Sequence, residues 1–226
     1  MKSSRDAAAK PGPPGNLVIL GAGGFAREVA WLVADMNVAR PATWNVVGFW
    51  EHGTERIGQH VGGIPIVGPA ELQKYLPDLY AVAAIGDPRI KERAAHEAES
   101  FGCRFATLIH PGVQYDGETV SVGPGSIICA GNIITVDVSI GAHVIINLDC
   151  TVGHDSILED YVTLSPGCHL SGFTTVRRSA FWGTGAVSIE RCEVGASSRI
   201  GAGAVVVNNI PPGVTAVGIP ARPKEV

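Results

Sequence analysis

From Val122 to Val206 every sixth residue is a branched aliphatic, and only Trp182 and Ser188 break the run of fifteen. A period of six fits neither the 3.6-residue repeat of a helix nor the simple alternation of a half-buried strand. It fits a solenoid, in which each short strand turns one aliphatic inward and stacked coils bury a continuous core. Four residues after the aliphatic a small side chain generally recurs, as at Ser126, Asn132, Cys150, Ser156, Cys168, Ala180 and Cys192. Those positions are predicted to sit at the corners. Glycine commonly follows the aliphatic (Gly123, Gly141, Gly153, Gly183, Gly195, Gly201), which predicts turns that need a permissive backbone.

The first half has a different rhythm. The apolar run 16–20 leads into GAGGFAREVAWLVADM, which opens on glycines and continues with helical spacing. Further strands are predicted at 44–50, in IPIVG and at 79–86, with a helix in PAELQKYL. A second helix follows Asp87 as N-cap and Pro88 at the first position, ending before Gly102; CRFATLI closes the set. Strands alternating with helices predict a small parallel α/β, Rossmann-like domain over 16–106. The β-helix is expected over 107–207, a C-terminal segment over 208–226, and a disordered tail over the Pro/Gly-rich residues 1–15.

Composition narrows the function classes. The net charge is −4 and the 226-residue chain has no basic block, which argues against a nucleic-acid partner. No apolar run reaches the length of a membrane span. Five cysteines, odd in number and without CxxC spacing, point to reduced, buried thiols in a cytoplasmic protein.

Together, VILGAGGFAREVA, the hexapeptide run, GHDS and VGIPAR resemble the left-handed parallel β-helix acyltransferases over about residues 16–224. The likeness is to the subgroup of sialic acid O-acetyltransferase and the nucleotide-aminosugar N-acetyltransferases of bacterial glycan pathways. It implies three six-residue sides per coil, a homotrimer, and acetyl-CoA bound between neighbouring β-helices. The implied reaction is direct transfer of acetyl to the amino group of a nucleotide-linked deoxy-aminosugar, in a cytoplasmic step of surface-glycan or lipopolysaccharide biosynthesis.

An amine nucleophile must shed a proton as it attacks, and histidine is the natural acceptor near neutral pH. His154 lies two residues after Val152, where the repeat makes no apolar demand. Read alone, it fits a solvated turn residue equally well. The resemblance implies that His154 is the general base and Asp155 its partner. Adjacent side chains on a regular strand face opposite ways, so the two meet only if the chain turns between them. Gly172 lies eighteen residues on, one coil of a three-by-six solenoid, and is expected to stack on His154. The resemblance makes its N–H a donor to the acetyl carbonyl; a plain turn glycine is the alternative. Asn147 matches a family asparagine near the acceptor amine, or it caps a corner. Thr163 stands where a relative carries a second histidine near the thioester. Thr163, Gly172 and Ala180 complete the implied acetyl-CoA site with Arg222 and Lys224, whose charges suit CoA phosphates or simply a solvated tail.

GAGGFA satisfies G-x-G-x-x-A between a strand and a helix, which taken literally is a dinucleotide fingerprint. The domain is short for that fold. The resemblance assigns Gly21, Gly23 and Gly24 to the nucleotide-sugar acceptor instead, with a diphosphate at the helix N-terminus. Glu51, followed by His52, stands where relatives often carry two aspartates, and Asp87 replaces a family asparagine; Asp87 is equally explained as a helix cap. No metal is expected. His143, His154 and His169 are spaced 11 and 15 apart, unlike the zinc ligands of β-helical γ-class carbonic anhydrases. Cys150 shares its small-residue slot with Cys168 and Cys192, which favours a structural thiol over a nucleophile. Two other functions compete: a sugar O-acetyltransferase, and a non-catalytic trimer that binds nucleotide sugar or serves as a scaffold.

Overall fold

The computed structural model describes residues 14–41 and 43–224. Of the predicted tail, residues 1–13 lie outside the described residues. Gly15 does not belong to a tail: it opens strand β1 (Gly15–Leu20), and its N–H donates to the Thr43 carbonyl. After β1 come α1 (Gly24–Ala39), β2 (Trp44–Trp50), the hairpin strands β3 (His60–Val61) and β4 (Ile64–Pro65), and the single turn α2 (Pro69–Leu72). Next are β5 (Leu79–Ala83), α3 (Pro88–Phe101) and β6 (Arg104–Phe105). Four strands form a parallel sheet in the order β2–β1–β5–β6. Leu17 to Leu20 are all buried, because both faces of β1 are covered, as the unbroken apolar run requires. IPIVG corrects the expected third sheet strand: it forms one arm of the β3–β4 hairpin and pairs with the sheet through a Phe49–Ile66 bridge. The Asp87 carboxylate caps α3, accepting from the N–H groups of Arg89 and Ile90, and Gly102 ends it in the left-handed region.

From Leu108 the chain winds into a left-handed parallel β-helix with three faces. Face I carries Leu108–Ile109, Ile127–Ile128, Ile145–Ile146, Thr163–Leu164, Phe181–Trp182 and Arg199–Ile200, and ends on Thr215–Val217 and Arg222–Pro223. Face II stacks Gln114–Tyr115, Ile133–Ile134, Thr151–Val152, His169–Leu170, Val187–Ser188 and Val205–Val206; face III runs from Ser121–Val122 to Glu193–Val194. Successive coils pair eighteen residues apart, as Thr151 with His169 and Val152 with Leu170. The repeating aliphatics from Ile128 to Val206 point inward and are buried.

The corners hold the unusual backbone. Asp137, Asp155, Phe173 and Arg191 line the II/III corner; His143, Tyr161, Ser179 and Ser197 line III/I; Asp149 lies on I/II. All have φ between 56° and 61°. A left-handed residue other than glycine is strained by about 1 kcal/mol or more. Stacking holds it there, since each N–H donates to the preceding coil, to a carbonyl as Phe173 does to His154, or for Asp137 to the Thr119 hydroxyl. The glycines that follow the aliphatics are needed for a reason other than the expected turn: they are close-contact positions. A Cβ on Gly153 would stand 2.5 Å from the Gly172 nitrogen. The small residues satisfy corner carbonyls, as Ser126 does Gly141 and Asn132 does Cys129 and Asn147.

Trp182 and Ser188, the two exceptions to the repeat, occupy consecutive inward positions on faces I and II and are both buried. A large side chain beside a small one conserves core volume. The Ser188 hydroxyl pairs with Thr174, while the Trp182 indole N–H has no partner among the described residues. Trp182→Ala is therefore expected to cost about 3–5 kcal/mol. Trp182→Phe, which removes the orphan donor as well as volume, should cost less. Denaturant midpoints of the two variants check this ordering.

The α/β domain packs on face I. Leu108, Ile127 and Ile145 present their outward side chains to Leu17, Ile19, Ala26 and Leu32 in one buried cluster. Lys91 on α3 is wholly buried and donates to the Val162 carbonyl (3.1 Å) and the Thr163 hydroxyl (2.8 Å); burial pushes its pKa well below the usual lysine range. His143 stacks on Tyr161 beneath Phe105, and burial lowers it to about 4. Arg178–Glu92 and Arg199–Asp87 pairs flank the contact. Among the described residues no helix is long and apolar enough to cross a membrane.

Candidate active site

The II/III corner brings together the pair that adjacency alone could not guarantee. Asp155 sits at φ 58°, so the chain turns between it and His154. His154 Nδ1 lies 2.8 Å from Asp155 Oδ2. A carboxylate only accepts, so Nδ1 carries the proton and Nε2 is left with a free lone pair. Both side chains are about half exposed. Phe173, from the next coil, meets the imidazole edge-on at 5.2 Å, and Arg191, one coil further, lies 4.2 Å over the Phe173 ring. The ring is thus held at Nδ1 and on one side, with Nε2 available.

Gly172 lies under that ring. A Cβ there would come within 2.7 Å of both Cε1 and Nε2 of His154, so only glycine lets the imidazole lie flat against the coil. Among the described residues the Gly172 N–H donates to no protein acceptor, unlike that of Ala142, which the Asp160 carboxylate takes. A free N–H beside a basic nitrogen is suited to an oxyanion.

A second cleft, of about 490 Å³, opens at the C-terminal ends of β1, β2 and β5, where the strand order reverses. Gly21, Glu51 and His52 line it together with Trp50, Arg93 and Glu97. Gly21 has φ 98°, which excludes other residues. Gly23 caps α1 and faces open space, leaving the first amides of the helix free for an anion. Glu51 pairs with Arg56 at 3.0 Å. Asp87 has both oxygens engaged, one by the α3 cap and one by Arg199, which favours the capping reading.

The remaining predicted residues are not gathered at His154 within one chain. Asn147 lies at the I/II corner, at the opposite edge of face II, and its Oδ1 accepts from the Leu148 N–H. Thr163 is buried on face I with its hydroxyl taken by Lys91, and the Ala180 side chain is fully inside the coil. Neither side chain is open to a ligand. Arg222 and Lys224 are exposed at the last turn of face I. His143, His154 and His169 stand on the III/I corner, the II/III corner and face II respectively, so they do not converge. Cys150 and Cys168 are buried in the core with their thiols directed at corner carbonyls. Phe173 and Arg191 were missed; counting eighteen from Asp155 finds both.

A family model described as the PglD N-terminal domain matches residues 16–98. GDP-perosamine N-acetyltransferase of Escherichia coli O157:H7 is 32% identical over 173 residues, covering 73% of this chain and 77% of that protein. The acetyltransferase domain of PglB from Neisseria gonorrhoeae FA1090, solved with acetyl coenzyme A, superposes with a TM-score of 0.83 at 33% identity, over 93% of this chain and all of that one. A histidine-to-asparagine variant of perosamine N-acetyltransferase from Caulobacter crescentus, solved with CoA and GDP-perosamine, gives 0.84 at 31% identity, over 94% of this chain and 98% of that one.

Proposed function

The chain belongs to the hexapeptide-repeat acetyltransferases of the nucleotide-aminosugar N-acetyltransferase subgroup, and on that premise we propose its reaction: acetyl transfer from acetyl-CoA to an amino group of a nucleotide-linked deoxy-aminosugar. The observation that carries the reading is the Asp155–His154 pair with Nε2 free above the unpaired Gly172 N–H. His154 Nε2 takes the amine proton as the new C–N bond forms. The Gly172 N–H donates to the carbonyl oxygen as negative charge develops on it, and the imidazolium returns its proton to the departing CoA thiolate. Asp155 stabilises that imidazolium.

Topology supports a site shared between chains. The α/β domain covers face I, whereas His154 lies on the corner between faces II and III, on the far side of the coil. A sugar held by a chain's own cleft thus faces away from its own base, and a neighbour's II/III corner completes the site. Exposed Ile133, Val136, Ile157 and Phe173 around that corner suit burial against another copy, consistent with a homotrimer. The five free, buried cysteines suit a reducing, cytoplasmic setting.

The test is thiol release from acetyl-CoA in the presence of UDP-, GDP- and dTDP-linked aminosugars. At least one is expected to respond, with an N-acetyl product. Response to none would favour a sugar O-acetyltransferase or a non-catalytic binding or scaffold protein over this reading.

A further inference from the structure

Three arginines of the β-helix lie over aromatic rings of the preceding coil. Arg178 stands 4.7 Å over Tyr161, Arg199 4.3 Å over Phe181, and Arg191 4.2 Å over Phe173. The first two also reach carboxylates of the α/β domain, Glu92 and Asp87, so their stacks belong to the domain joint. Arg191 is different. It is exposed on the II/III corner, away from that joint, and has no ion-pair partner among the described residues. The contact its guanidinium makes there is with the Phe173 ring.

Phe173 in turn bears on His154, whose ring it meets at 5.2 Å and 88°. The backbone fixes the spacing of this series. Asp155, Phe173 and Arg191 repeat one conformation at eighteen-residue intervals, with φ of 58°, 59° and 60°. The Phe173 N–H donates to the His154 carbonyl at 2.8 Å, and the Arg191 N–H to the Gly172 carbonyl at 3.1 Å. The side chains need more than this. One hydrogen bond, from Nδ1 to Asp155, leaves the imidazole able to rock about that contact, and rocking moves Nε2. A second contact off that line stops it, and Phe173 supplies one. Yet Phe173 is itself 40% exposed, so core packing does not select its rotamer. The guanidinium over its face does.

We propose that Arg191 is a positioning residue for acetyl transfer: acting through Phe173, it locks the His154 imidazole in the orientation that keeps Nε2 over the Gly172 N–H. The assignment rests on the reading of His154 as the base. Arg191→Ala is expected to lower kcat about tenfold. The KM values for acetyl-CoA and aminosugar, the denaturation midpoint and the assembled mass by light scattering should not change. Phe173→Ala should lower kcat at least as much, and adding Arg191→Ala to it should cost nothing further. Arg191→Lys, which keeps a cation, should recover part of the loss. Crystal structures of the native protein and of Arg191→Ala give a readout apart from turnover: one imidazole orientation in the first, more than one in the second. Additive losses in the double variant, or an imidazole equally ordered in both structures, would overturn the proposal. So would a rise in KM alone, which makes Arg191 a ligand contact, or a smaller assembled mass, which makes it an interface residue. Loss of imidazole order in a protein whose native form never turns over would retire the transferase reading and keep the positioning role. A fully active Arg191→Ala beside an inactive His154→Asn would do the reverse.

Discussion

His154→Asn is expected to lower kcat by about 10²–10⁴-fold while both KM values change little. Asparagine is close to imidazole in reach and can still donate toward Asp155, so the II/III corner keeps its shape. What it lacks is a basic nitrogen. The geometry explains why nothing nearby substitutes. The Asp155 carboxylate is engaged at Nδ1 at 2.8 Å, and Phe173 and Arg191 supply no base. Steady-state kinetics with the best aminosugar from the thiol-release survey check this. Undiminished turnover would remove His154 from the mechanism, and a large rise in KM alone would make it a binding residue.

Gly172→Ala is expected to cost about 10²-fold in kcat with little loss of stability. The added methyl would sit 2.7 Å from Cε1 and Nε2 and 3.1 Å from Cδ2 of His154, inside ordinary contact distance. The Gly172 backbone lies outside the left-handed region, so it accepts alanine without backbone strain. The imidazole is half exposed and has room to swing outward, which relieves the clash but carries Nε2 away from the free N–H. Catalysis therefore suffers while the coil does not. Kinetics and a denaturation midpoint measured on the same preparation check both halves. An inactive but unfolded variant, or a folded and fully active one, would contradict this account.

Several elements of the site were legible in the chain alone. The six-residue rule fixes which residues face the core, and with three sides per coil it puts Gly172 against His154 by counting. The G-x-G-x-x-A opening, read with the strand before it and the helix after it, locates the free amides of α1. The Asp155 contact was not legible. Its φ of 58° is imposed by the Val136 carbonyl of the preceding coil, which takes the Asp155 N–H at 3.2 Å. Asp87 and Thr163 show the same limit. Their polar atoms are taken by Arg199 and Lys91, partners 112 and 72 positions away that exist only once the α/β domain docks on face I. Lys91 is buried only because the α/β domain docks there, and its contacts to Val162 and Thr163 make it an anchor.

The sequence by itself thus determined the solenoid, its register and the identity of the residues that the repeat does not need. Periodic burial is a local rule repeated many times, and side-chain character states it openly. Only the tertiary structure decided which of those residues touch, which tautomer His154 holds, and that its corner faces away from the cleft of its own α/β domain. Those outcomes depend on backbone angles and domain contacts set by carbonyls and side chains far off in the chain, which no local pattern records.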